Sequence, residues 1–188
     1  KIIATSSAGC VEEMSGKPLI KALPSPKAEI SVSSAINRRC EGDEDAEFRV
    51  GVQLTGTPPF AFDIVNNAGL PTISITNLLS TNFVPRLVSP DRSVTYRIEN
   101  LTDASGCAVV TGTGSAEFFV DALPSITFGP EKPSLCFGSP AISVTAQDAG
   151  VGSTYEWSDG LGSGATIDVS PPATQFYTVT AETVHGCT

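Results

Sequence analysis

The sequence predicts an all-β chain built from tandem two-sheet sandwich modules, one complete and two partial. Three observations carry this. Apolar residues alternate over short runs, as at Phe48, Val50, Val52 and Leu54, which is the period of a half-buried strand. Turn formers punctuate the runs: 17 glycines and 14 prolines stand against only 16% charged residues, the profile of short strands joined by many turns. The chain also repeats itself, and repeats fix domain organisation before anything else does.

The repeat is read by superposing Val88 to Cys107 on Val169 to Cys187. Val-Ser-Pro, then Tyr96 or Tyr177, then Gly-Cys recur in order. Upstream, Cys40 precedes Phe60 and Phe62 much as Cys136 precedes Tyr155 and Trp157. Lys1 to Cys10 aligns with Thr178 to Cys187, and Pro18 to Pro26 aligns with Phe118 to Ile126. Residues 1–23 are therefore expected to be the final hairpin and strand of an upstream repeat. Residues 24–123 form a complete repeat, and residues 124–188 a repeat without its last strand. The two Ala-Leu-Pro-Ser segments read as junctions stiffened by proline. On this reading the chain is a window onto a longer array.

Within the complete repeat, strands are expected over residues 28–33, 46–54, 60–65, 72–75, 83–88, 94–101 and 107–120. Turn signals separate them, including Gly56-Thr57-Pro58-Pro59, Asn66-Asn67-Ala68-Gly69, Ser89-Pro90-Asp91 and Asp103-Ala104-Ser105-Gly106. Seven short strands in about 100 residues point to an Ig-like sandwich.

Totals exclude several functions. Net charge is −9, with 11 basic residues scattered among 20 acidic ones, so no basic patch serves a phosphate backbone or an anionic membrane surface. No apolar run approaches the ~18 residues of a membrane span. A hydrophobic content of 40% supports real cores.

The five cysteines fall into two classes. One sits early in each repeat (Cys40, Cys136) and one just after the final turn (Cys107, Cys187). The expected pairs are Cys40–Cys107 and Cys136–Cys187, each stabilising its module by roughly 4 kcal/mol on the chain-entropy estimate. Cys10 is the late cysteine of the upstream repeat and has no partner within the chain. Bridges in modules of this size imply an oxidising compartment; the competing reading is five buried free thiols.

The stretch from Cys136 to Gly160, followed by Ile167 to Cys187, resembles the PKD-like and Ig-like repeats of very large Bacteroidetes cell-surface proteins. The matching pattern is Cys-x-Gly, an alternating strand, Tyr-x-Trp, then Tyr-Thr-Val-Thr and a late Gly-Cys. Cys40 to Val65 looks like a sister type, with Phe60 and Phe62 in place of Tyr and Trp. The resemblance implies type IX secretion and display as tandem modules, as in gliding-motility adhesins.

No catalytic constellation stands out, and the chain is expected not to be an enzyme. His185 is the single histidine and sits in a hairpin turn, where an exposed role outweighs a triad or a metal site. Glu41, Asp43 and Asp45, within an acidic run that also holds Glu44 and Glu47, offer oxygens for Ca²⁺, though a solvated strand mouth is the plainer reading. Asp148 and Asp159 are weaker candidates still, and no carboxylate pair is marked out for glycoside hydrolysis. Tyr155 and Trp157 share one strand face. They could stack on a sugar, but a core role fits better, since such a sandwich places a tryptophan in its centre. Gly160, Gly162 and Gly164 precede a strand, not the helix that a phosphate loop needs. Asn100-Leu101-Thr102 is a glycosylation sequon, which has meaning only in a eukaryotic source.

The sequence thus reads as a structural stretch of a long extracellular, cell-surface adhesin or filament. Its expected partners are neighbouring repeats of the same or an adjacent chain, with a surface glycan or protein as ligand, no nucleic acid and no membrane insertion. The alternatives are a glycan- or protein-binding accessory module, and a filament subunit completed by a strand donated from another chain.

Overall fold

A computed structural model of the chain describes residues 2–14, 19–43, 47–87 and 91–188. Lys1, Pro18, Glu44, Asp45, Ala46 and the Val88-Ser89-Pro90 motif, named above, lie outside the described residues. The architecture is all-β in several sheets.

At the start, β1 (Ile2–Thr5) and β2 (Val11–Met14) form an antiparallel hairpin, with Thr5 opposite Val11. The central module then runs through β3 (Lys27–Val32), β4 (Arg38–Cys40), β5 (Phe48–Thr55), β6 (Phe60–Asn66), β7 (Ile73–Leu78), β8 (Asn82–Phe83), β9 (Arg86–Leu87), β10 (Val94–Thr102), β11 (Ala108–Thr111) and β12 (Ala116–Asp121). One sheet is ordered β4-β12-β10-β6-β7, with β11 also on β10; the other is β3-β5-β8, with β9 also on β5. Ala28 and Ile30 of β3, Phe48 to Leu54 of β5, Phe60, Phe62 and Ile64 of β6, Tyr96 and Ile98 of β10, and Phe118 of β12 bury into one cluster. The sheets therefore face each other across a shared core, each strand supplying alternate residues.

Period 2 breaks once in β10. Val94, Tyr96 and Ile98 point inward, and so does Leu101. The register shifts between Glu99 and Thr102, with Asn100 at φ +55°. This bulge adds one residue and turns Leu101 into the core. The Asn100 side chain donates to Asp63 at 2.7 Å, so the sequon asparagine is engaged within the fold.

Two expectations need correcting. The strand expected over residues 107–120 is two strands, β11 and β12. Between them Gly112 N–H still bonds Ile98, but Thr113 bonds Ala28 and accepts from Ile30 N–H at 3.0 Å. The chain steps from one sheet to the other there. Gly114 makes the step possible: its φ is +77°, and a Cβ would overlap the Ile30 carbonyl oxygen. Gly114→Ala is expected to cost at least about 2 kcal/mol, read as a lower urea midpoint with an unchanged slope. The stretch expected as one strand over 83–88 holds the two short strands β8 and β9 on β5. Strand β4 was not foreseen. It runs parallel to β12, pairing Cys40 with Asp121, and its Arg-Arg-Cys sequence carries no apolar alternation.

The C-terminal module has β13 (Thr127–Gly129), β14 (Ile142–Gln147), β15 (Thr154–Trp157), β16 (Gly162–Ser163), β17 (Thr166–Val169) and β18 (Val179–Glu182). These form two three-stranded sheets, β13-β14-β17 and β16-β15-β18, over a smaller core of Val144, Ala146, Trp157, Ile167 and Val169. Among the described residues, β18 pairs only with β15, whereas its counterpart β10 also pairs with β11 and β12.

Candidate functional site

The distinctive site is the junction between the two sandwich regions. Late cysteines sit in one recurring five-residue turn. In Ser6–Cys10, Asp103–Cys107 and Thr183–Cys187, the first N–H donates to the cysteine carbonyl and the glycine N–H donates back to the first carbonyl. Those glycines have φ of +76°, +81° and +81°, a region only glycine enters freely. Early cysteines share a different turn: Asp43 N–H donates to Cys40 O, and Ser139 N–H to Cys136 O. Gly42 and Gly138 sit between, both at positive φ. The two cysteine classes read from sequence are thus two backbone structures.

The two turns lie at opposite poles of a module. The late turn Asp103–Cys107 follows β10, where β3 begins. Its Asp103 Oδ2 accepts Thr57 N–H at 2.8 Å, and Ala104 N–H donates to Thr57 O at 2.9 Å. Cys40 stands beside Asp121, where β12 ends. The Arg38 guanidinium bonds Asp121 Oδ1 at 2.5 Å and lies 4.7 Å from the Phe119 ring centroid, holding β4 against β12. Nine-residue β10 separates the poles, roughly 30 Å at about 3.3 Å per residue.

This geometry overturns the expected cysteine pairing. A disulfide needs Cα atoms within about 7 Å, so Cys40 and Cys107 of one module are too far apart. Instead Cys40 bonds Cys187 of the next module, with Cα atoms 5.5 Å apart. Cys187 cannot then serve Cys136, and Cys10, Cys107 and Cys136 are free thiols. Cys187 is buried, Cys107 half-buried and Cys136 exposed. Spacing along the chain could not separate pairing within a module from pairing between neighbours. The signal available was positional: a residue just past the penultimate strand and a residue beside the end of the last strand occupy opposite ends of a hairpin.

The remaining candidates disperse. Glu41 and Asp43 are exposed, and Asp43 Oδ2 accepts the Cys40 N–H at 3.2 Å, so this carboxylate closes the cysteine turn. Asp45 lies outside the described residues. Among the described residues no group of three or more His, Cys, Asp or Glu side chains gathers to hold a metal. His185 is exposed in the last turn. Asp148 bonds Thr127 and Asp159 bonds Gln175, on separate loops.

Tyr155 and Trp157 do not form a surface platform. Trp157 is 4% exposed, its indole N–H donates to Gly164 O at 2.9 Å, and its ring lies against Phe128. Next to it is a cleft of about 690 Å³, lined by Phe128, Phe137, Ile142, Trp157, Phe176 and Tyr177 among others. Sequence reading missed it. In the central module the matching space is filled from β12: Phe118 packs on Phe48 at 4.2 Å, and Phe48 on Tyr96 at 6.0 Å. Tyr177 aligns with Tyr96 in the repeat, and Ile142 opens β14 as Phe48 opens β5.

Asp103 also gives the late turn a pH response. Ser105 and the Thr57 N–H bond its carboxylate and lower its pKa below the ordinary 3.8. A depressed pKa contributes stability above the unfolded value, and that contribution is lost as pH falls through the folded one. Melting temperature should therefore drop below about pH 4, and Asp103→Asn should flatten that drop in a pH series of thermal melts.

No protein-family model matches the sequence, and no curated protein does. Among solved structures, the chain is similar to a Ca²⁺-stabilised adhesin with which an Antarctic bacterium reaches out and binds ice. That likeness has 14% identity and a TM-score of 0.44, and covers 98% of this chain and 52% of that one. It is also similar to a 1.5-MDa bacterial ice-binding adhesin described for its retention at the host cell surface, at 16% identity and a TM-score of 0.43, covering 98% of this chain and 68% of that one. The chain spans about half the length of the first of these structures.

Proposed function

We propose that this chain is a non-catalytic structural stretch of a long extracellular bacterial repeat protein, an adhesin or surface filament of the kind used in attachment or gliding. Its Ig-like and PKD-like modules divide at residues 23/24 and 123/124, and type IX secretion delivers them to the cell surface. The observation that carries the reading is the Cys40–Cys187 bridge. It joins successive modules and not the halves of one, so it fixes the connection between them. Such a bridge persists outside the reducing cytosol. Connection between modules is what a reach-extending rod requires.

The cleft beside Trp157 supports the same reading over a glycan site. Its counterpart in the central module receives a strand with alternating inward residues, Ala116 and Phe118. A last strand of that type fits it, supplied by the same polypeptide in an array.

The test is surface labelling of intact producing cells with antibody against residues 24–123, beside lysed cells. Equal signal supports display. Signal only after lysis would place the protein inside the cell and sink the proposal.

A further inference from the structure

We infer that the cysteines obey one polarity rule: the early cysteine of each module bridges to the late cysteine of the module that follows it. The rule rests on the repeat-array reading above and extends it to the three thiols that are free here. Cys40 (early) and Cys187 (late, next module) are the pair that forms. Cys107 and Cys10 share the backbone turn of Cys187, and Cys136 shares the turn of Cys40. Each pole of a module therefore presents one thiol of fixed type. The pole where a module starts carries the late cysteine, and the pole where it ends carries the early one. Cys107 and Cys10 await early cysteines of preceding modules, and Cys136 awaits the late cysteine of a following one. All five positions are explained by one geometry, including the odd count.

The rule has a consequence for the array. The Cys40–Cys187 loop spans 147 positions, and the next early cysteine, Cys136, falls inside it. Successive loops then overlap, so every peptide bond between Cys40 and later modules lies within at least one closed loop. A single proteolytic nick leaves such an array joined. Each bridge forms by thiol–disulfide exchange: two cysteine thiols release two protons and two electrons, and a small-molecule disulfide such as glutathione disulfide takes them and becomes two thiols.

A tandem built from this chain alone tests the rule. Because residues 1–11 align with residues 178–188, residues 1–188 are followed directly by residues 12–188 of a second copy. The product has nine cysteines, five from the first copy and four from the second. After refolding in a glutathione redox buffer, free thiols are titrated in denaturant and bridges mapped by mass spectrometry without reduction. The rule gives three bridges and three free thiols, the new bridge joining Cys136 of the first copy to Cys107 of the second. One bridge per copy would leave five free thiols and overturn it, as would any other partner for that Cys107. In the tandem carrying Cys136→Ser in its first copy, the free count should rise to four and Cys107 of the second copy should become alkylated. Circular dichroism and the retained Cys40–Cys187 peptides check folding in each case. Five thiols together with positive surface labelling would reject the rule while leaving the array reading intact.

Discussion

Held by its two ends and stretched, the oxidised chain is expected to release only the residues ahead of Cys40, and to gain roughly a further 500 Å once the Cys40–Cys187 bridge is reduced. The loop these cysteines close, a sequence separation of 147, is bypassed by the disulfide, so force passes from Cys40 to Cys187 without entering the C-terminal core and reaches the central one only through β3, which precedes Cys40. Released and fully extended, the residues of that loop reach about 3.4 Å each. Force spectroscopy with and without a thiol reductant measures this directly. The oxidised trace should show only the short events outside the bridge, loss of the β1–β2 hairpin and peeling of β3 from β5. The reduced trace should add separate unfolding events for the central and C-terminal modules. Cys187→Ser should behave as the reduced chain under either condition. Equal extension in both conditions would show that the modules unfold in series and that the bridge carries no load. At equilibrium the same closure limits the unfolded ensemble by about 5 kcal/mol on the chain-entropy estimate, shared between two modules. Denaturant melts should therefore shift less visibly than stretching curves.

The contrast between force and equilibrium bears on what the sequence could reveal. Local rules act within a few residues, and they were legible. The inward alternation of Phe48 to Leu54 and of Phe60 to Ile64 places β5 and β6. Gly106 and Gly186 mark the late turns. Trp157 between Glu156 and Ser158 reads as a core residue, and it is one. The relations that failed are those set by position in three dimensions. Arg38–Cys40 becomes a strand only because Asp121 and Phe119 lie beside it. The break at Gly112–Gly114 exists because two sheets must be joined across Ala28 and Ile30. Cys40 takes Cys187 because a module's poles stand a strand length apart, while the poles of adjoining modules meet. Spacing along the chain holds no record of which pole a residue occupies until the order of strands is known. The cleft was hidden for the same reason, since its walls come from Phe128, Ile142 and Phe176 on separate elements.

Phe118→Ala should carry that comparison between modules into an energy. Phe118 is 1% exposed and lies 4.2 Å from Phe48 between ring centroids. Removing its ring deletes a fully buried phenyl group and one side of an aromatic pair, so the central module should lose about 3–5 kcal/mol. The substitution would also open in the central module a cleft like that beside Trp157, lined by Phe48 and Tyr96 as the other is lined by Ile142 and Tyr177. Two measurements separate the structural reading from a ligand-site reading. Urea melts of the oxidised chain should show the central transition falling toward that of the C-terminal module. Trp157 fluorescence, which reports the other core, should keep its own midpoint. If Phe118→Ala leaves the central transition within about 0.5 kcal/mol of the parent, the strand contributes little to the core. The equivalence drawn between β12 and the cleft would then fail. If the transition moves as expected, the cleft is the seat of a strand, and a graft of residues 109–121 after Thr188 should protect the β18 amides against hydrogen exchange.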